Sequence, residues 1–157
     1  MILGGCVSNQ TAVGADGRPL PVAYKIGPND VSRVTYSMID SANRLRATAG
    51  APPLTLNAQL TAAAATHSLD MSVQNRPWHF GSDGSSPILR VQRTGYAGRM
   101  LGENISETFE NEIETLTAWM SVPDTAAVIL DPAARDVGFS WHQEKSGKIW
   151  WTLVTGG

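Results

Sequence analysis

Apolar residues recur along this chain with two different periods, and the switch between them divides it. Val31, Val34, Met38, Ile39, Ala42 and Leu45 fall at helical spacing, while Arg33, Asp40, Arg44 and Arg46 lie largely elsewhere. Asn29 or Asp30 offers an N-cap for this helix, and Gly50 with Pro52-Pro53 stops it. Leu56, Leu60, Ala63, Ala64, His67 and Met71 mark a second amphipathic helix from about Asn57 to Gln74, closed by Pro77. Pro87 suits the first turn of a third helix that carries Ile88, Leu89 and Val91 and ends near Gly95. Phe109 to Met120 reads as a fourth, acidic at its start as the helix dipole favours, and Pro123 to Leu130 as a shorter fifth.

Beyond Asp131-Pro132 the period becomes two. Val137, Phe139 and Trp141 alternate with Gly138, Ser140 and His142. Ile149, Trp151 and Leu153 alternate with Trp150, Thr152 and Val154. The two runs form strands of a hairpin joined through Glu144-Lys145-Ser146-Gly147, and Gly102 to Ser106 is a third strand. Helices first and an antiparallel sheet late make the fold α+β.

Composition narrows the function classes. The 157 residues suit one domain, and a net charge of −2, with lysine only at 25, 145 and 148, provides no basic stripe for nucleic acid. No apolar run approaches the length of a membrane-spanning helix. Residues 7–29, with Gly14, Gly17, Pro19, Pro21, Gly27 and Pro28 and no sustained period, read as a flexible linker. The lone cysteine, Cys6, has no partner for an internal disulfide. Its context, Leu3-Gly4-Gly5-Cys6, resembles a bacterial lipobox, with residues 1–6 as the remnant of a signal peptide. That resemblance implies acylation of Cys6, a membrane anchor through the acyl chains, and a place outside the cytoplasm in the cell envelope.

The chemistry concentrates between Trp78 and Ile105, where His79 stands beside a Gly/Asp/Ser turn and Gly102-Glu103-Asn104 follows a short helical stretch. An imidazole facing a carboxylate can stiffen a groove, serve as a general base pair, or bind a metal if further ligands join. His67 lies on the apolar stripe of its helix and reads as a core histidine, and His142 as an exposed strand residue. Ser82, Ser85 and Ser86 lie near His79 and Asp83, but no Gly-x-Ser-x-Gly elbow surrounds them. Asp83 and Ser85 read as turn caps, with Ser85 or Ser86 starting the third helix. Trp150 and Trp151 point to opposite faces of the sheet, so one of them should border the groove.

Several segments in a fixed order resemble the CAP superfamily, which includes cysteine-rich secretory proteins, insect venom antigen 5 and plant pathogenesis-related proteins; the match is to disulfide-free bacterial members. Asn43-Arg44-Leu45-Arg46 through Gly50 to Pro52-Pro53-Leu54 looks like the family's opening "N-x-x-R … G-x-P-P-L". The second helix with His67-Ser68-Leu69-Asp70-Met71 follows, then His79, Asp83-Gly84, Pro87, Arg90, Gly95-Tyr96 and Gly102-Glu103-Asn104-Ile105. Trp119, Ile129-Leu130-Asp131-Pro132, Gly138 and Trp151-Thr152 complete the series, so the resemblance runs from about Asp30 to Gly156.

The resemblance implies a three-layer α-β-α sandwich over 30–157, with a groove that many members line with two His and two Glu able to hold a divalent metal. His79 and Glu103 match one His and one Glu of that tetrad. The remaining positions fall on Val122 and Trp150, or on Thr125 by the bacterial variant of the pattern. A metal such as zinc would therefore rest on the weak set His79, Glu103 and His67, short of the usual three or four firm ligands, and no cofactor is expected. Three readings stay open: a lipid-anchored binding module whose groove (His79, Glu103, Trp150) takes a small apolar, envelope or protein ligand; a metal-assisted or general-base hydrolase of peptide or cell-wall bonds; or a purely structural domain in which His79–Glu103 is a fold-stabilising contact.

Overall fold

The computed structural model describes residues 24–157, together with Ala15 and Gly17. Cys6 and most of the expected linker lie outside the described residues. A 3-10 turn, Pro28–Asp30, leads into α1 (Val31–Thr48). Asp30 holds the N-cap position of α1, but its carboxylate is taken by the Gly27 N–H at 2.9 Å and by Arg33, so it closes the turn and leaves the α1 amides uncapped.

The helices α2 (Ala58–Gln74), α3 (Pro87–Arg93), α4 (Glu112–Met120) and α5 (Pro123–Leu130) follow. The expected N-cap of α2 is present, with Asn57 Oδ1 accepting from the Leu60 N–H at 3.0 Å. It ends at Asn75, which takes the left-handed conformation (φ 50°), two residues before the proline. Ser86 caps α3 through its hydroxyl. The fourth helix starts later than its acidic run implied. Asn111 and Glu114 form a capping box, and Phe109 remains outside because the preceding strand continues to Thr108.

Four strands make the sheet, in the order β1-β3-β4-β2. β2 is Met100–Thr108, β3 Asp136–Gln143 and β4 Ile149–Gly156, all paired antiparallel. The two-residue strand β1 (Thr55–Leu56) adds a parallel edge beside β3. The sheet is therefore mixed, and a two-residue strand is too short to show a period.

Alternation along β4 separates the two faces. Ile149, Trp151 and Leu153 enter the larger core with Val34, Met38, Ile39 and Ala42 of α1, Leu116 and Trp119 of α4, and Ile129 of α5. The Trp151 indole stacks on Phe139, with centroids 5.5 Å apart and an interplanar angle of 9°. On the other face, Val154 packs with Leu60, Ala63 and Ala64 of α2 and Val91 of α3. This is the α-β-α sandwich, with α2 and α3 in one outer layer. The approach of α2 is close: a Cβ on Gly138 would lie 2.1 Å from the Leu60 carbonyl carbon.

Two polar residues of α1 anchor the segment after it. Asn43 exchanges hydrogen bonds with the Leu54 backbone, 2.7 Å from its N–H and 3.0 Å to its carbonyl. Arg46, placed by its pattern outside the apolar stripe, is fully buried; its guanidinium donates to the carbonyls of Pro52, Ile129, Asp131 and Ala134. The final residues of the expected linker also belong to the domain. The Gln143 side chain clasps the backbone of Tyr24 and Ile26, and both of those residues pack on the larger core.

Candidate functional site

The site forms on the α2 side of β2. Successive strand residues point to opposite faces, so the Gly-Glu-Asn triplet serves three purposes. A Cβ on Gly102 would lie 2.9 Å from the Val128 side chain, so the glycine admits α5. Asn104 reaches that same helix and donates to the Thr125 carbonyl at 2.9 Å. Glu103 points the other way, and its side chain is only 2% exposed.

Three side chains converge on this buried carboxylate. His79 Nδ1 lies 2.9 Å from Glu103 Oε1, and Arg90 Nη2 lies 2.8 Å from Oε2. The same Arg90 nitrogen donates to the His79 carbonyl at 3.1 Å, so one guanidinium holds both the carboxylate and the backbone that carries the imidazole. His67 Nε2 stands 3.8 Å from Oε1 but is committed elsewhere, donating to the Trp78 carbonyl at 2.8 Å. A carbonyl only accepts, so His67 carries its proton on Nε2. Burial pushes the His67 pKa below its ordinary value, with Glu103 opposing, and the residue is the neutral core histidine its helix position implied.

His79 differs from these neighbours in facing solvent, with half of its side chain exposed. Its carboxylate partner accepts on the Nδ1 side, which leaves the outer edge of the ring free for another molecule. Beside it in the chain stand two aromatic rings, Trp78 and Phe80, with centroids 5.6 Å apart. The Arg76 guanidinium covers Trp78 at 3.8 Å, and Phe80 is 46% exposed. An open cleft of about 490 Å³ runs between α2 and α3; Leu69, Asp70 and Val73 line one wall, and Arg90 and Arg93 the other. Arg90 is thus shared by the cleft and the His79–Glu103 cluster.

Trp150 departs from its expected place on the groove wall. It points toward the α2 layer, as Val154 and Thr152 do, but it is fully buried. Its indole N–H donates to Glu144 at 2.7 Å, and the Lys148 ammonium lies 4.9 Å above its ring. Of the two aromatic residues that flank His79 in the chain, Phe80 is exposed and Trp78 half-buried. Asp83, Ser85 and Ser86 are engaged as turn and cap residues. Asp83 accepts from the Ser85 N–H at 2.9 Å and pairs with Arg93 at 2.6 Å; the Ser85 hydroxyl foremost, then Arg93 and the Ser85 N–H, hold its carboxyl well below the usual range. His142, expected to be exposed, is half-buried on β3.

Arg90 is the functional residue that pattern reading missed as such. Its signal lay in the motif order only; nothing in its spacing shows that a guanidinium on a short helix turns inward to meet a carboxylate thirteen positions later. Its presence bears on metal binding. A dication would compete with a guanidinium already seated on Glu103, and the His67 nitrogen nearest the carboxylate is protonated. The other tetrad positions offer Val122, 51% exposed, and Thr125, whose hydroxyl donates to the Trp119 carbonyl at 2.6 Å. These residues do not suit a tetrahedral zinc site.

The model of the cysteine-rich secretory protein family, CAP, matches residues 39–155. The chain is 28% identical over 123 residues to the uncharacterized protein YkwD of Bacillus subtilis, covering 78% of this chain and 47% of that protein. It therefore spans just under half the length of that relative. Among solved structures, an outer surface protein of Borrelia burgdorferi superposes with a TM-score of 0.73 at 14% identity, over 86% of this chain and 98% of the other. An extracellular protein of Bacillus anthracis containing an SCP domain also superposes with a TM-score of 0.73, at 19% identity, over 85% of this chain and 44% of the other. The family match, over most of the domain, and the shared α-β-α architecture lead to one assignment: this chain belongs to the CAP family.

Proposed function

We propose that this chain is an extracytoplasmic, lipid-anchored CAP domain that works as a binding module, with its contact surface around His79. The observation that carries this reading is a half-exposed imidazole fastened on one edge by a buried carboxylate. Such a group is held at one orientation before a ligand arrives, so little ordering entropy remains to be lost on binding. Trp78 and Phe80 supply apolar area beside it, and Arg90 braces it from behind. The ligand is a small apolar molecule, an envelope component or a partner protein. The Borrelia relative is described as an outer surface protein and the Bacillus anthracis one as extracellular, which supports a place outside the cytoplasm. The Leu-Gly-Gly-Cys segment supports attachment through Cys6.

A second reading keeps one specific observation. A carboxylate on Nδ1 that leaves Nε2 outward is also how a general base is oriented, so the pair could activate water for hydrolysis of a peptide or cell-wall bond. Ser86 spends its hydroxyl on capping α3, and no Gly-x-Ser-x-Gly elbow presents Ser82 or Ser85 as a nucleophile.

Native mass spectrometry of the protein isolated from its own membranes tests the first reading. It predicts an acyl mass on Cys6 and a co-purifying ligand that His79→Ala loses. An unacylated protein contradicts the anchor. Ligand retention by His79→Ala contradicts the surface. Turnover of peptidoglycan or peptide substrates that His79→Ala abolishes would establish the second reading in place of the first.

A further inference from the structure

We propose that Arg90 is an internal counter-ion that fixes which face His79 shows to a ligand, and that the site consequently takes a ligand that presents a hydroxyl or amide donor. The proposal rests on the reading that the His79 surface is the contact site. Arg90 is almost wholly buried and puts its Nη2 on Glu103 Oε2, balancing a carboxylate that has scarcely any access to water. With that charge compensated in place, Glu103 stays an acceptor, and its other oxygen takes the proton on His79 Nδ1. A neutral imidazole has one N–H, so placing it on Nδ1 leaves a bare lone pair on Nε2. The exposed edge of His79 is then a hydrogen-bond acceptor.

The selectivity follows from that lone pair. A ligand O–H or N–H satisfies it directly. An anion would need an imidazolium in its place. The second histidine acts as an internal contrast, because His67 must carry its proton on Nε2 to meet the Trp78 carbonyl. The two rings that approach Glu103 therefore hold opposite tautomers.

Removing Arg90 would leave a buried carboxylate without its counter-charge, which is costly. The nearest remedy is a second proton on His79 or a proton on the carboxylate itself, and either one ends the single tautomer.

Long-range ¹H–¹⁵N spectra of histidine-labelled protein at about pH 8, where an ordinary imidazole is neutral, read this directly. The expected wild-type pattern is His79 bare at Nε2 and His67 bare at Nδ1. In Arg90→Gln the His79 pattern should become mixed or doubly protonated, while an unchanged His67 pattern reports an intact fold. Arg90→Lys, which keeps the charge, should restore the His79 pattern at least in part and carries the test if the glutamine variant does not fold. A wild-type His79 protonated on Nε2, or a His79 pattern indifferent to both variants, overturns the proposal.

Two probes then test ligand class on the same resonances. A neutral N-acetylated oligosaccharide should move the His79 Nε2 signal, and inorganic phosphate should leave it. Silence toward the saccharide, or a saturable shift with phosphate, overturns the ligand class. Failure of the binding-module reading shows separately, as intact tautomers in a protein that carries no envelope ligand.

Discussion

Arg46 and Ile129, 83 positions apart in the chain, are joined by a 2.8 Å hydrogen bond from Nη1 to the carbonyl at the end of α5. Three more carbonyls complete the shell, so one buried cation ties α1, the Pro52 loop, the end of α5 and the approach to β3. Replacing Arg46 with Met should cost about 3 kcal/mol or more, because several buried carbonyls lose their donor together. Arg46→Lys keeps the charge but not the planar fork, so it should recover only part. Urea unfolding checks both, and a variant as stable as wild type would contradict this role.

Gly138 makes a steric prediction of similar weight. A methyl group there would strike the Leu60 backbone, which has no rotamer to yield. Gly138→Ala should therefore destabilise the fold by about 2 kcal/mol or more through a shift of α2. Thermal unfolding reads the effect, and an unchanged midpoint would place α2 farther from the sheet.

Stability should depend on pH through His67. Its folded pKa lies below the ordinary value of about 6.5, so between those two values the unfolded chain binds more protons than the native one. Stability then rises with pH across that window. The contribution is fully favourable above about pH 6.5 and is lost as pH falls toward the folded value. His67→Gln, which can still donate to the Trp78 carbonyl, should show a smaller loss between about pH 7.5 and about pH 5.5. An equal loss in both proteins would assign the dependence to other groups.

Glu103 and His79 should separate stability from binding. Glu103→Ala strands the Arg90 guanidinium in a buried position and should cost about 3 kcal/mol. His79→Ala removes a half-exposed ring and should cost about 1 kcal/mol or less. Equal losses would make the pair a structural contact only.

Much of this architecture was legible because periodicity reports which face meets the core. The stripe from Val34 to Ala42 and the alternation from Ile149 to Leu153 became α1 and β4. Pattern reading fails where a residue's environment comes from distant elements. Arg46 fell outside the apolar stripe of its helix and Arg90 entered through motif order alone, yet each meets acceptors supplied by other segments. Trp150 illustrates the converse. Alternation gave its face of the sheet, but not the Lys148 and Glu144 side chains that enclose it. The meeting of His79 and Glu103 came from motif order and not from any local period, and the capping box at Asn111 outweighed the acidic run that pointed to an earlier start of α4.

The most direct measurement compares wild type and His79→Ala for binding to isolated membrane and cell-wall fractions, with circular dichroism confirming that both are folded. A binding surface at His79 predicts saturable binding by the wild type, lost in the variant while its unfolding midpoint barely moves. Equal binding by the two proteins would contradict it.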